Sequence, residues 1–289
     1  MSVRQQTAFV TGGSSGIGLA VTENLLSKNY QVFIADRDIT GAKALADRFN
    51  SNSENGSDSS TYKVYFAECD VSSWSSQLSA FRSAIATFGR IDIVAAIAGI
   101  GERKWIPGVK EIQEMEEGEF KEPDLSVVDV DLKGVMFTVG LSVQQFRRQE
   151  KDANGFRGKI GCVASVCGFY AIPTLPIYTA AKHGVVGLVR TYGKFLPEEG
   201  ITFNAVCPNI VRTGISTSTF YDKVEKEGLL VPMKGLLDAF EDFLLGQGSG
   251  EVYEVGPKGG WVVREGAGYL DEKCERSCEL LVERGRVLH

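Results

Sequence analysis

Thr7-Ala8-Phe9-Val10-Thr11-Gly12-Gly13-Ser14-Ser15-Gly16-Ile17-Gly18-Leu19-Ala20-Val21 reads as a strand, a glycine turn and the start of a helix. Residues 7–11 form a short apolar run rich in β-formers, the pattern of a strand buried on both faces. Ile17, Leu19, Ala20, Val21, Leu25 and Leu26 then recur at helical spacing to about Lys28. Glycines between a strand and a helix let backbone approach a pyrophosphate. The new helix turns free N–H groups and its positive dipole end toward that anion. The spacing is Gly-x-x-x-Gly-x-Gly, a variant of the usual three-glycine pattern. Gly12, Ser14, Ser15, Gly16, Ile17 and Gly18 are therefore expected to cradle a dinucleotide.

Working outward, Gln31-Val32-Phe33-Ile34-Ala35 is a second buried strand with Asp36 at its end. A carboxylate about twenty residues past the glycines accepts hydrogen bonds from ribose hydroxyls and repels a 2′-phosphate. Arg37 partly offsets that repulsion, so NAD is favoured and NADP is less favoured. The alternation continues. Strands are expected at 62–68, 91–97, 159–164, 201–207 and, as the last, 251–255. Helices are expected at 74–88, 124–149, 176–195 and, interrupted at 228–232, over 218–246. The Ser/Asn/Gly-rich stretch 50–60 is a surface loop. Such alternation predicts an α/β fold, a Rossmann-type doubly wound parallel sheet in one domain spanning 1–289. A charged surface insertion at about 101–123 and a helical substrate segment at about 214–246 complete it. Ligands in such sheets bind at the carboxyl ends of strands, where Gly12, Asp36, Asp70, Gly99 and Ser165 all fall.

The 289 residues carry a net charge of −6, which gives no support to a nucleic-acid partner or an anionic membrane surface. No apolar stretch is long enough to span a bilayer, and the polar lead Met1–Gln6 shows no secretory signal. The six cysteines show no metal-ligand grouping and fit reduced thiols in a cytoplasmic protein.

Tyr178-Thr179-Ala180-Ala181-Lys182 is the second informative run. A phenol ordinarily titrates at about 10, too high for a base at neutral pH. Lys182 lies one helical turn on, on the same face, and its charge is expected to favour phenolate. Tyr178 can then take a proton from an alcohol as hydride leaves, or return it in reverse. Ser165, at the end of the fifth strand, can hydrogen-bond the same oxygen. His183, beside the lysine, reads as a packing residue.

With Asp70-Val71, Ala98-Gly99 and Asn204-Ala205-Val206-Cys207-Pro208 through Thr213 added, the chain resembles the short-chain dehydrogenase/reductases over nearly its full length. The run Pro176 to Gly187 most resembles the NAD-dependent 15-hydroxyprostaglandin dehydrogenase branch. The resemblance implies an adenine pocket at Asp70 and Val71 and cofactor contacts at Ala98, Gly99, Tyr178, Lys182 and Pro208. It also implies the Val211 backbone on the carboxamide and Thr213 on the phosphates. Two departures stand out. Ala96 and Ile97 replace the family's asparagine pair. Val130-Asp131-Leu132-Lys133-Gly134 puts Asp131 where the family has a catalytic asparagine that supports a water next to the lysine. Asp131 either holds such a water or marks a repurposed site.

Cys167, Phe169 and Tyr170, the 101–123 insertion and segment 214–246 are expected to bound a pocket for a lipophilic small molecule. The leading expectation is an NAD-dependent alcohol dehydrogenase or ketone reductase. The alternatives are a non-redox isomerase or pericyclase using Asp131, and a dinucleotide sensor. Relatives pair through the helices at 124–149 and 176–195. Val135, Phe137, Val139, Leu141 and Val143 are expected to leave apolar surface for a homodimer or homotetramer.

Overall fold

The computed structural model describes residues 4–50 and 63–286. Nearly all of the 50–60 stretch and the first residues of the polar lead lie outside them. Strands β1 (Thr7–Thr11), β2 (Gln31–Asp36), β3 (Val64–Glu68), β4 (Ile93–Ala96), β5 (Gly158–Val163), β6 (Ile201–Pro208), β7 (Val252–Val255) and β8 (Trp261–Val263) form one sheet. Its order is β3-β2-β1-β4-β5-β6-β7-β8, parallel throughout except for β8 against β7. This is the Rossmann-type doubly wound sheet that the alternation implies.

Parallel neighbours cannot be joined by hairpins, so helices cross over both faces. Along β1, Phe9 points into one core, edge-on to Phe81 with ring centroids 5.0 Å apart. Ala8 and Val10 point into the other, with Val21 and Leu25 of α1 (Gly16–Ser27). Both faces being covered, all five residues of β1 and all eight of β6 are buried; the centre of β1 therefore reads as an apolar run, while in β6 the buried Asn204 amide is bonded to the Gly248 carbonyl and the Glu251 N–H.

The helices follow local signals. In α3 (Trp74–Phe88) the Ser73 side chain accepts from the Ser76 N–H, and Gly89 closes the helix at φ 71°. α7 (Pro176–Phe195) begins on proline at its first position, where the missing N–H costs nothing. Its buried stripe is Ala181, Lys182, Val185, Val186, Val189 and Gly193; Lys182 is the one charge in an apolar row. The segment expected as a single helix at 124–149 is more particular. α5 (Ser126–Val128) passes through a π-helical turn (Asp129–Lys133) into α6 (Gly134–Phe146). Such turns widen a helix locally and change where one side chain points.

The remaining helices are α2 (Thr40–Asn50), α4 (Val109–Glu114), α8 (Ser218–Lys226), α9 (Met233–Leu245) and α10 (Glu272–Gly285). Two expectations are corrected. β7 is not the last strand, because β8 and α10 follow; α10 buries no residue. Val135, Val139, Leu141 and Val143 are buried within the chain and Phe137 is half-buried against Trp74. The sheet and α3 cover them, so they do not form a free surface. No helix among the described residues is long and apolar enough to cross a membrane.

Gln77 ties three parts of this frame together. Its amide donates to the carbonyls of Val71 (2.6 Å) and Gly134 (2.8 Å), and its oxygen accepts from the Thr138 hydroxyl (2.8 Å). The residue is 1% exposed. Replacing it with an apolar side chain leaves buried carbonyls without donors, at about 1–3 kcal/mol. Gln77→Leu should therefore lower the urea midpoint with an unchanged slope; an unchanged midpoint would contradict this role.

Candidate active site

β1 and β4 lie side by side, and there the strand order reverses. The site is built at the carboxyl ends of these strands. Gly12 turns off β1 at φ 70°, where a Cβ would come within 2.7 Å of the Ala98 Cα. A Cβ on Gly18 would strike the Gly12 carbonyl oxygen at 1.9 Å. The glycines are thus required by close backbone approach. Ser15 caps α1 without a side-chain bond, which leaves the first-turn N–H groups for an anion. Ser14 is 8% exposed and its Oγ has no partner.

Asp36 closes the cradle. Its carboxylate accepts from the N–H groups of Ser14 (2.9 Å) and Asp38 (3.1 Å). Asp70 folds back on Ser72, accepting from its N–H at 2.9 Å and its hydroxyl at 2.7 Å; these bonds hold its carboxyl below the usual range. Val71 is buried beneath it. Thr213 reaches the turn from the far side, since a Cβ on Gly16 would lie 3.3 Å from its side chain. Val211 is buried just before it, and Pro208 ends β6. An orphaned buried hydroxyl, a glycine-lined helix start and a fixed carboxylate fit a dinucleotide.

The strap after β4 crosses beside the turn. Thr11 Oγ1 accepts from the N–H groups of Ile97 (3.1 Å) and Ala98 (3.4 Å). From the other side, Asp131 Oδ1 accepts from the Ile100 N–H at 2.8 Å. Gly99 lies over Asp131, with a hypothetical Cβ 3.2 Å from Oδ2.

Ser165 ends β5 as the extended cap of a 3-10 turn (Val166–Gly168), its hydroxyl accepting from the Cys167 N–H at 3.1 Å. It also lies close enough to Tyr178 to favour the charged form of the phenol. Lys182 Nζ lies 5.2 Å from the Tyr178 ring centroid and 3.0 Å from Asp131 Oδ2. Lys182 is 4% exposed and Asp131 is fully enclosed. The ammonium sits close to Oδ2 but off its hydrogen-bond direction, so charge rather than a directed bond holds the pair.

This geometry corrects the simplest reading of the tyrosine–lysine pair. Burial raises the Tyr178 phenol above its ordinary value. Lys182 and Ser165 pull it down, but Asp131 pushes it up again. For Lys182, burial opposes the charge, yet Asp131 and Tyr178 outweigh burial and hold the ammonium above its usual range.

Of the expected substrate residues, Cys167 is buried close to Tyr178. Phe169 lies under the guanidinium groups of Arg190 and Arg264, at 5.4 and 5.9 Å. The Tyr170 hydroxyl donates to Glu254 on β7 at 2.9 Å. His183, read as a packing residue, is instead exposed, with Nδ1 2.9 Å from the Thr179 carbonyl. Glu102 is a site residue that sequence reading missed. Its carboxylate accepts from the N–H groups of Ile177 (3.3 Å) and Tyr178 (2.6 Å), at the start of α7. One of many acids in the insertion, it is distinguished only by this fold partner.

A family model described as short chain dehydrogenase matches residues 6–223. A short-chain dehydrogenase/reductase of Penicillium rubens is 34% identical over 210 residues, covering 71% of this chain and 69% of its own length. The matches span between 54% and 69% of the first two fungal relatives. The 15-hydroxyprostaglandin dehydrogenase of Rattus norvegicus, named as NAD(+)-dependent, is 29% identical over 234 residues, 78% of this chain and 74% of its own length. The crystal structure of 3-hydroxyacyl-CoA dehydrogenase type-2 from Mycobacterium avium superposes with a TM-score of 0.69 at 25% identity, covering 90% of this chain and 96% of that one. With three quarters of its length matched and the glycine turn and the serine–tyrosine–lysine group set at one edge of the sheet, the chain belongs to the short-chain dehydrogenase/reductase family of nicotinamide-dependent oxidoreductases.

Proposed function

We propose that the chain transfers hydride between NAD(H) and a secondary alcohol or ketone of a lipophilic small molecule, with Tyr178 as proton carrier. The meeting of Ser165, Tyr178 and Lys182 beside the glycine turn carries this reading. The nicotinamide, when bound, supplies or takes the hydride. Ser165 orients the reacting oxygen by hydrogen bonding, and Tyr178 exchanges a proton with that oxygen. Lys182 offers its ammonium to the cofactor ribose, while Asp131 opposes its pull on the tyrosine. Gly12, Ser14 to Gly18 and Thr213 hold the phosphates; Asp36 holds the adenosine ribose; Asp70 and Val71 border the adenine. Ala98, Gly99, Pro208 and Val211 border the nicotinamide.

Asp36 supports NAD over NADP, because its carboxylate is already fixed by two backbone N–H groups and cannot swing away freely. The rat relative's name also specifies NAD(+). A lipophilic substrate is supported by exposed apolar side chains at Ile106, Phe120, Ile215, Phe220 and Leu229. The insertion and the 214–246 segment touch where a Cβ on Gly101 would meet Ile215 at 2.9 Å, so both can close over one site in a single domain. Cys167, Phe169 and Tyr170 form its remaining wall. The six free thiols suit a reducing compartment such as the cytoplasm. The full enclosure of Asp131 speaks against the isomerase alternative, because it cannot touch a substrate directly.

Tyr178→Phe removes the proton carrier and leaves the cradle intact. Turnover should fall at least ~100-fold while NAD affinity barely changes; an active variant would contradict the assignment. By calorimetry NAD should bind at least ~10-fold tighter than NADP, about 1.4 kcal/mol, and equal affinities would contradict the role of Asp36. Outward-facing Met136 on α6 and Trp74 on α3 are 45% and 43% exposed and support a two-fold dimer or tetramer through this side. Light scattering at micromolar concentration should give that mass; a monomer would count against it.

A further inference from the structure

Asp131 stands where the family that this chain resembles has an amide, and it lies against Lys182. The π-helical turn carries its side chain inward, where it is fully buried. Oδ1 holds the Ile100 N–H, and Oδ2 sits 3.0 Å from Lys182 Nζ. A carboxylate at that distance weakens the field that the ammonium exerts on its next neighbour. That neighbour is Tyr178, whose ring centroid lies 5.2 Å from Nζ. The other groups facing the pair do not restore the lost field. Ser165 carries no charge, and Cys167 adds a small opposing influence. Cys162 on β5 and Cys207 on β6 are thiols that burial holds neutral. Glu102 is bound to the backbone N–H groups at the head of α7.

We propose that Asp131 is a positioning residue that, with burial, offsets the pull of Lys182 on Tyr178, keeping Tyr178 a proton-donating phenol and fitting the site to carbonyl reduction at neutral pH. This rests on the dehydrogenase/reductase reading above. In reduction by the bound reduced nicotinamide, hydride adds to the carbonyl carbon. The π electron pair moves to oxygen, which takes the Tyr178 proton, and solvent reprotonates the tyrosinate. A phenol that stays protonated supports this direction over a wide pH range. Alcohol oxidation needs phenolate, so its rate rises only at high pH.

The test reads Tyr178 without turnover. Full-length protein free of cofactor, labelled with carbon-13 at tyrosine Cζ, is titrated by NMR, and Tyr178→Phe identifies the signal. The wild-type midpoint should lie at or above the ordinary phenol value of about 10; a midpoint near ~8 or below would overturn the proposal. Asp131→Asn keeps an oxygen for the Ile100 N–H and removes only the charge. Its midpoint should fall by about one pH unit or more, and alcohol oxidation at a fixed pH below the midpoint should rise about tenfold. An unmoved midpoint would overturn the proposal. If Asp131→Asn does not fold, the wild-type midpoint alone decides. A midpoint that shifts as stated in a protein that reduces no carbonyl would overturn the reductase direction while leaving the tyrosine titration explained. Turnover with an unmoved midpoint would overturn only the role given to Asp131.

Discussion

Parallel pairing of β1 with β4 is the constraint from which the rest follows. A parallel neighbour can be reached only by a crossover, so every strand in this sheet up to β7 ends at the same edge. That edge collects the glycine turn after β1, Asp36 after β2, Asp70 after β3, the Ile97–Ile100 strap after β4 and Ser165 after β5. Where the order reverses between β1 and β4, helices run off to opposite faces and leave a crevice. The close approach of Gly12 to Ala98 marks the floor of that crevice. No residue with a Cβ fits there without opening the strand pair.

The second organising contact is the buried Lys182–Asp131 pair. Burying two charges costs much of what their attraction returns, so such a pair is weak support for stability alone. Its value lies in what it connects. Asp131 joins the π-helical turn to the Ile100 N–H and to α7 at once. Lys182 in turn occupies a place in the apolar stripe of α7 that an aliphatic residue would fill more cheaply. A charge kept there, with its partner enclosed, is not explained by packing.

Much of this was legible in the sequence because it is encoded locally. The bounds of α3 follow from a serine cap and a left-handed glycine, and those of α7 from a first-position proline. β1 announces its double burial by the apolar run Ala8-Phe9-Val10. What was not legible depends on contacts between distant segments or on elements that bury nothing. β8 is short and largely exposed, and α10 buries no residue. The π-helical turn lies within a run whose spacing reads as ordinary helix. Glu102 caps α7 from the insertion. The apolar residues of α6 suggested a free surface only because their partners on the sheet and α3 are far away in sequence. The tyrosine–lysine pair was visible, but its net effect was not, since the carboxylate that offsets the lysine comes from another helix.

Label transfer tests the central claim most directly. The protein is incubated with NADH deuterated at the transferable position of the nicotinamide and a panel of lipophilic ketones, and products are read by mass and NMR. Hydride transfer with Tyr178 as proton carrier predicts an alcohol bearing deuterium on the carbinol carbon, with the hydroxyl proton taken from solvent. A product isomeric with its substrate and free of deuterium, or deuterated alcohol formed equally well by Tyr178→Phe, would contradict it.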